Sequence, residues 1–252
     1  MYFLAEGSAS SLHPMMSTLP KHVDGRKTLL FPERGIAKWF YESGIAEKNV
    51  IEWAGRTFGH PDKIFLDIGA HVGTYAWSIA PKFKHTYAFE CNPKVFCYLA
   101  ANIALHDLTD TITPIHVGLG DKPGRLPLIV RSEDGGGNGV KKLTDGDVGG
   151  KEVEIRTLDS YGLINIGFIK IDVEGFEKEV LLGARETLKA SGYPPILFES
   201  WGQWKEKEGV PAMQIRTDLF ETFIELGYRL EPVDGAQDTF LATYSISASI
   251  SD

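Results

Sequence analysis

The stretch Ile64-Phe65-Leu66-Asp67-Ile68-Gly69-Ala70-His71-Val72-Gly73 decides how the rest of the chain is read. A short apolar run stopped by a glycine turn reads as a buried strand. A helical pattern then continues to Ala80. Gly69 and Gly73 let the backbone turn sharply and let a ligand approach with no Cβ in the way. Ligands of open α/β sheets bind outside the carboxyl ends of the strands. Asp67, Gly69, Ala70, His71 and Gly73 are therefore candidate binding residues. A dinucleotide fingerprint, G-x-G-x-x-G, requires another glycine spacing, and Ala70 and Val72 stand where its extra glycines would sit. An NAD(P)-dependent oxidoreductase is thus the alternative reading and not the first.

Outward from this turn the pattern repeats. Residues 86–89 form a second strand, stopped by Glu90 and Asn92-Pro93, and the next helix sets Val95, Leu99 and Ile103 on one face. A third strand over 112–117 ends in Gly118-Leu119-Gly120-Asp121. The alternation breaks at two strands, 126–130 and 153–156, which flank glycine-rich segments around 135–139 and 149–150 and suggest a flexible loop. It resumes with a strand over 168–173, one helix carrying Phe176, Val180, Ala184 and Leu188, a strand over 196–198, and a helix marked by Ile215, Leu219 and Phe223. Strands over 228–233 and 239–244 are joined by the turn Asp234-Gly235 and must run antiparallel. The fold class is α/β, with a doubly wound, mostly parallel sheet and an antiparallel C-terminal hairpin. Upstream, residues 1–25 show no sustained period and 35–58 have helical character. Residues 1–58 are read as an arm with covering helices and 59–252 as the main domain.

Composition narrows the function classes. The net charge of −8 lacks the basic surplus of a nucleic-acid binder, so no nucleic-acid partner is expected. No apolar run approaches the roughly 20 residues that span a bilayer. The opening Met1–Leu4 has neither the length nor the basic flank of a secretory leader. The expectation is a cytoplasmic protein without a membrane partner. Cys91 and Cys97 point to different faces of a helix, so no disulfide is expected. The arm before residue 25 either caps the site, supports a homodimer or does neither.

Glu90 closes the second strand about 20 residues after the glycine turn, where an acid accepts hydrogen bonds from ribose hydroxyls, with Asn92 beside it. Gly118 to Asp121 sit where an adenine ring would lie. Each of these residues also has a plain reading as a strand terminator.

The segment Phe168-Ile169-Lys170-Ile171-Asp172-Val173-Glu174-Gly175-Phe176-Glu177, followed by Val180-Leu181-Leu182-Gly183-Ala184, resembles the signature of the FkbM-type methyltransferases. Asp67–Gly73 is similar to that family's first motif and Ala88-Phe89-Glu90-Cys91-Asn92-Pro93 to its second. Thr157-Leu158-Asp159 precedes the signature and Ile196-Leu197-Phe198-Glu199 follows it. His71 and Cys91 depart from the usual asparagine and proline. The resemblance implies a Rossmann-like class I methyltransferase fold. It also implies S-adenosyl-L-methionine as cofactor, leaving as S-adenosyl-L-homocysteine, and O-methylation of a sugar, a glycan or a glycosylated small molecule. Asp67 would then hold the amino group of the methionine moiety, directly or through water.

A sugar hydroxyl needs a base or a metal to take its proton. Asp172 is the first candidate for that role, with Glu174 and Glu199 next and Lys170 pairing with one of these carboxylates. Lys170 is equally readable as structural, since a lone charge in an apolar strand is costly. Glu174 and Glu177 are also readable as acids favouring a helix start. His71 is a further base candidate, and several carboxylates in one mouth suit Mg²⁺ or Mn²⁺, although no spacing fixes a metal. Trp201, Gln203 and Trp204 offer aromatic faces and an amide suited to a sugar ring, and the glycine-rich loop is a candidate lid. A methyltransferase fold kept only for binding a partner is the remaining alternative.

Overall fold

The computed structural model describes residues 47–130, 139–140 and 151–245. The first half of its main sheet comes from β1 (Ile64–Ile68), β2 (His85–Phe89) and β3 (Ile112–Ile115), with helices α1 (Lys48–Phe58), α2 (Thr74–Ile79) and α3 (Pro93–Leu105) between and before them. Four short strands follow: β4 (Gly118–Leu119), β5 (Gly124–Ile129), β6 (Gly139–Val140) and β7 (Glu152–Arg156). The second half comprises β8 (Ile166–Ile171), α4 (Glu177–Leu182), α5 (Arg185–Ala190), β9 (Ile196–Glu199), α6 (Ala212–Glu225), β10 (Tyr228–Pro232) and β11 (Thr239–Tyr244).

The seven-stranded sheet has the order β10-β11-β9-β8-β1-β2-β3. β1 pairs in parallel with β2 on one side and β8 on the other, so the strand order reverses at β1. The crevice beyond the carboxyl ends of β1 and β8 is thus the topological switch point where such sheets bind ligands. β11 runs antiparallel to both β9 and β10, so the reversed strand is inserted beside β9 and leaves β10 at the edge. This is the Rossmann-like class I methyltransferase architecture expected from the sequence.

Strand alternation sends Phe65, Ala88, Phe168 and Leu197 to one face, where α1, α2 and α3 cover them with Ile51, Ala54, Trp77, Ile79, Leu99 and Ile103. Leu66, Ile68, Phe89, Ile169, Ile171 and Phe198 point to the other face, under α4, α5 and α6. The fixed period of two has a functional consequence. Asp67 shares the α1–α3 face with Phe65, Lys170 with Phe168, Glu90 with Ala88 and Glu199 with Leu197.

Two local readings differ from the sequence expectation. The single helix expected from Phe176 to Leu188 is two helices, broken at Gly183-Ala184. A Cβ on Gly183 would stand 2.0 Å from the Gly120 carbonyl oxygen, and the Asp159 carboxylate takes the Glu186 and Thr187 amides at 3.2 and 2.8 Å, starting α5 afresh. The segment after β3 is not only turn, because Gly118-Leu119 pairs with Ile155-Arg156 of β7 in a separate four-stranded sheet. Of the glycine-rich region, Gly139-Val140 pairs with Leu128-Ile129 of β5. The rest of that proposed lid, and the arm before Glu47, lie outside the described residues.

Candidate active site

The turn after β1 is tied to the end of β2 atom by atom. The Gly69 and Ala70 amides donate to the Phe89 carbonyl at 3.0 and 2.9 Å, and the His71 amide donates to Glu90 Oε2 at 3.0 Å. Gly69 has φ +76°, and a Cβ there would lie 1.8 Å from the Asp172 carbonyl oxygen, so no other residue fits. Gly73 has φ +95° and opens α2. Ala70 is buried beneath this turn, and His71 sits in it at φ 53°.

Glu90 accepts the Asn92 amide through Oε1 at 2.7 Å as well as the His71 amide. Burial raises its pKa, with those amides opposing the rise. Each oxygen keeps lone-pair capacity for a further donor. Asn92 is the N-cap of α3, its Oδ1 accepting from the Lys94 and Val95 amides. Gly118 packs against Ile155 and Cys91, and Asp121 lies half-buried just beyond β4.

Asp67 lies behind the turn at 1% exposure. Its Oδ2 accepts the Ala76 amide of α2 at 2.8 Å, and its Oδ1 has no hydrogen bond and stands 3.9 Å from Lys170 Nζ. Burial pushes its pKa up to about 6, against the pull of Lys170. Asp67 and Lys170 are direct register partners across β1 and β8, which is why two charges meet inside the sheet. Lys170 donates to Asp172 Oδ2 at 3.1 Å and to the Gly69 carbonyl at 3.2 Å, with its ammonium 5.3 Å from the Tyr75 ring centroid. Burial works against its charge, but Asp172 and Asp67 outweigh that and hold its pKa above the ordinary lysine value.

A cleft beside this pair is lined by Glu47, Tyr75, Lys170, Asp172, Glu199 and Thr239. Glu199 lies opposite Thr239 in the β9–β11 register. Burial, then the nearby carboxylates of Asp172, Glu174 and Glu177, drive its pKa well up, so its neutral acid is favoured at physiological pH. Glu174, at φ 60°, accepts Trp201 Nε1–H at 3.2 Å. Glu177 accepts the Val173 and Gly175 amides at 3.0 and 3.2 Å and fastens the turn from β8 into α4.

The three acceptor-side candidates are placed differently from one another. Trp201 is buried, with its ring against Gly175, where a Cβ would come within 2.6 Å. Trp204 is 42% exposed, and its Nε1–H donates to Asp238 at 2.6 Å. The Lys205 ammonium sits 5.2 and 5.1 Å from the two ring centroids, and Gln203 is exposed at the start of the 3-10 turn Gln203–Glu208. Glu47, Tyr75 and Thr239 were not singled out from the sequence. Their only signal was position, at the covering segment, the first turn after Gly73 and the start of the last strand. Among the described residues, no group of three or more His, Cys, Asp or Glu is arranged to hold a metal ion, and no helix is long and apolar enough to cross a membrane.

Comparison with known proteins agrees with the fold. A model of the methyltransferase FkbM domain matches residues 67–230. The hexuronic acid methyltransferase AglP of Haloferax volcanii is 29% identical over 139 residues, covering 52% of this chain and 54% of that protein. The 2-O-methyltransferase NoeI of Sinorhizobium fredii is 25% identical over 186 residues, covering 65% of this chain and 73% of that one. The crystal structure of a methyltransferase FkbM from Methylobacillus flagellatus aligns with a TM-score of 0.51 at 19% identity, covering 73% of this chain and 44% of that chain. The chain therefore spans little more than half of the first relative's length.

Proposed function

Because the chain belongs to the FkbM methyltransferase family, whose domain it carries over residues 67–230, we propose that it transfers the methyl group of S-adenosyl-L-methionine to a hydroxyl oxygen of a sugar, a glycan or a glycosylated small molecule. One observation carries this reading. A glycine turn and an acid that keeps acceptor capacity flank one side of the switch point, and Asp172 with Lys170 flanks the other, all at the carboxyl ends of β1, β2 and β8. The sugar part draws support from the two relatives, one named for hexuronic acid and the other for 2-O-methylation.

The residues present fit the donor. Gly69 and Gly73 permit the left-handed backbone of the turn, where a Cβ would strike Asp172 or Leu99, and Glu90 has capacity for ribose hydroxyls. When bound, the cofactor supplies an electrophilic methyl group on a sulfonium. The chain's own work is to hold the acceptor in line, exclude water and take one proton. Asp172 is the proton acceptor in this reading, and Lys170 fixes its carboxylate in place. Glu199, held neutral, donates a hydrogen bond that orients the acceptor. Asp67 serves as the counter-charge that keeps Lys170 in the sheet.

Incubating the protein with methyl-labelled S-adenosyl-L-methionine and a panel of glycans, read by mass, tests the proposal. A gain of one methyl group on a hydroxyl is expected. Hydride transfer with NADH, or no methyl gain on any member, contradicts it.

A further inference from the structure

Two walls of the cleft come from outside the segment that matches the family. Glu47 precedes α1 and Thr239 opens β11, both beyond residues 67–230, and they line the same cleft as Lys170, Asp172 and Glu199. Glu47 is fixed there, its Oε2 accepting from the Tyr75 hydroxyl at 3.0 Å and its Oε1 from the Thr239 hydroxyl at 3.4 Å.

The charge in this cleft is one-sided. Among the described residues lining it, the carboxylates are Glu47 and Asp172, Glu199 is favoured as its neutral acid, and the one cation is Lys170. Lys170 is committed to Asp172 and the Gly69 carbonyl and faces Asp67, whose buried Oδ1 has no hydrogen bond. An anionic group reaching this point would meet Glu47, and among the described lining residues there is no uncommitted ammonium to pair with it. Removing a charge from water without a partner is heavily penalised, and like charge facing like charge is how a site rejects a wrong ligand.

We infer that Glu47, at the edge of the acceptor's approach to Asp172, sets the charge of the acceptor, so that an uncharged or amino-bearing sugar is favoured and a uronate is turned away. This rests on the sugar methyltransferase reading above. It also separates the chain from the hexuronic acid methyltransferase of Haloferax volcanii, to which it is 29% identical.

The test compares kcat/KM for methyl glucoside, methyl glucosaminide and methyl glucuronide, using the full chain and labelled cofactor. The glucuronide should be at least about tenfold poorer than the glucoside, the order expected of one like charge at a partly buried site. Glu47→Gln should narrow that gap by at least about fivefold, whereas Glu47→Asp, which keeps the charge, should preserve it. A glucuronide methylated as well as the glucoside, or a gap unchanged in Glu47→Gln, overturns the inference and leaves the methyltransferase reading standing. Methylation of none of the three removes the sugar reading and the inference with it. Calorimetry with S-adenosyl-L-homocysteine, run alongside, distinguishes that failure from loss of the donor site.

Discussion

Lys170 is a charged side chain inside an apolar strand, and its neighbours explain why it is tolerated. The Asp67 and Asp172 carboxylates lie on either side of it, the Gly69 carbonyl accepts from it and the Tyr75 ring lies beside it. Of the two carboxylates, Asp172 is the one that lines the cleft. Asp172→Asn removes the proton acceptor while keeping the shape, so turnover should fall by about 10²–10⁴-fold. Affinity for S-adenosyl-L-homocysteine, followed by calorimetry, should stay within about twofold. Glu177 has a different task, since it is 3% exposed and bonded to two backbone amides. Burial lifts its pKa to about 7 from an ordinary 4.5. Between those values the native state binds more protons than the unfolded chain, so stability is lost as pH rises through the window. The loss is complete above about pH 7 and amounts to about 3 kcal/mol. Glu177→Gln retains an oxygen for both amides and cannot ionise. Between pH 5 and pH 8, denaturant unfolding should show the wild type losing about 2.5 kcal/mol relative to the variant. Parallel profiles would contradict this.

At the scale of elements, the glycine turn after β1 does the positioning. It bonds to the end of β2, receives Lys170 through its carbonyl and leaves no space between Gly69 and the end of β8. Gly69→Ala adds a left-handed backbone penalty of about 1–2 kcal/mol and a clash with Asp172 that forces the backbone apart. A total loss of at least about 3 kcal/mol is expected in chemical denaturation, with a weaker donor site in the same protein. A fully stable Gly69→Ala would show that the two strand ends are not locked together. These elements were legible in the sequence because pattern and period determine them: β1 and β11 occupy their predicted residues, and alternation alone puts Asp67, Glu90, Lys170 and Glu199 on one face. The break between α4 and α5 was not legible, because Val180, Ala184 and Leu188 keep their spacing of four across it. Its causes, the Gly120 carbonyl and the Asp159 carboxylate, come from elsewhere in the fold. β4 is two residues long and carries no period at all. Trp201 offers a flat aromatic face in sequence, and only the packing of Gly175 and its bond to Glu174 show how much of it is spent. Glu47 and Thr239 meet across 192 positions of chain, a contact that no local pattern records.

Over the whole molecule, strand order reverses at β1, and the proposed site is placed there. In the proposed reading the two halves beside that reversal each supply part of the chemistry: the first holds the glycine turn and Glu90, the second Lys170, Asp172 and Glu199. The account stands or falls on whether a sulfonium donor occupies the crevice there. The most direct measurement is a crystal structure of the full chain with S-adenosyl-L-homocysteine. Density running along Gly69–Gly73, with ribose hydroxyls on Glu90 and the thioether facing the Asp172 cleft, is the predicted result. Density at another surface, or a ligand whose ribose does not touch Glu90, would contradict it.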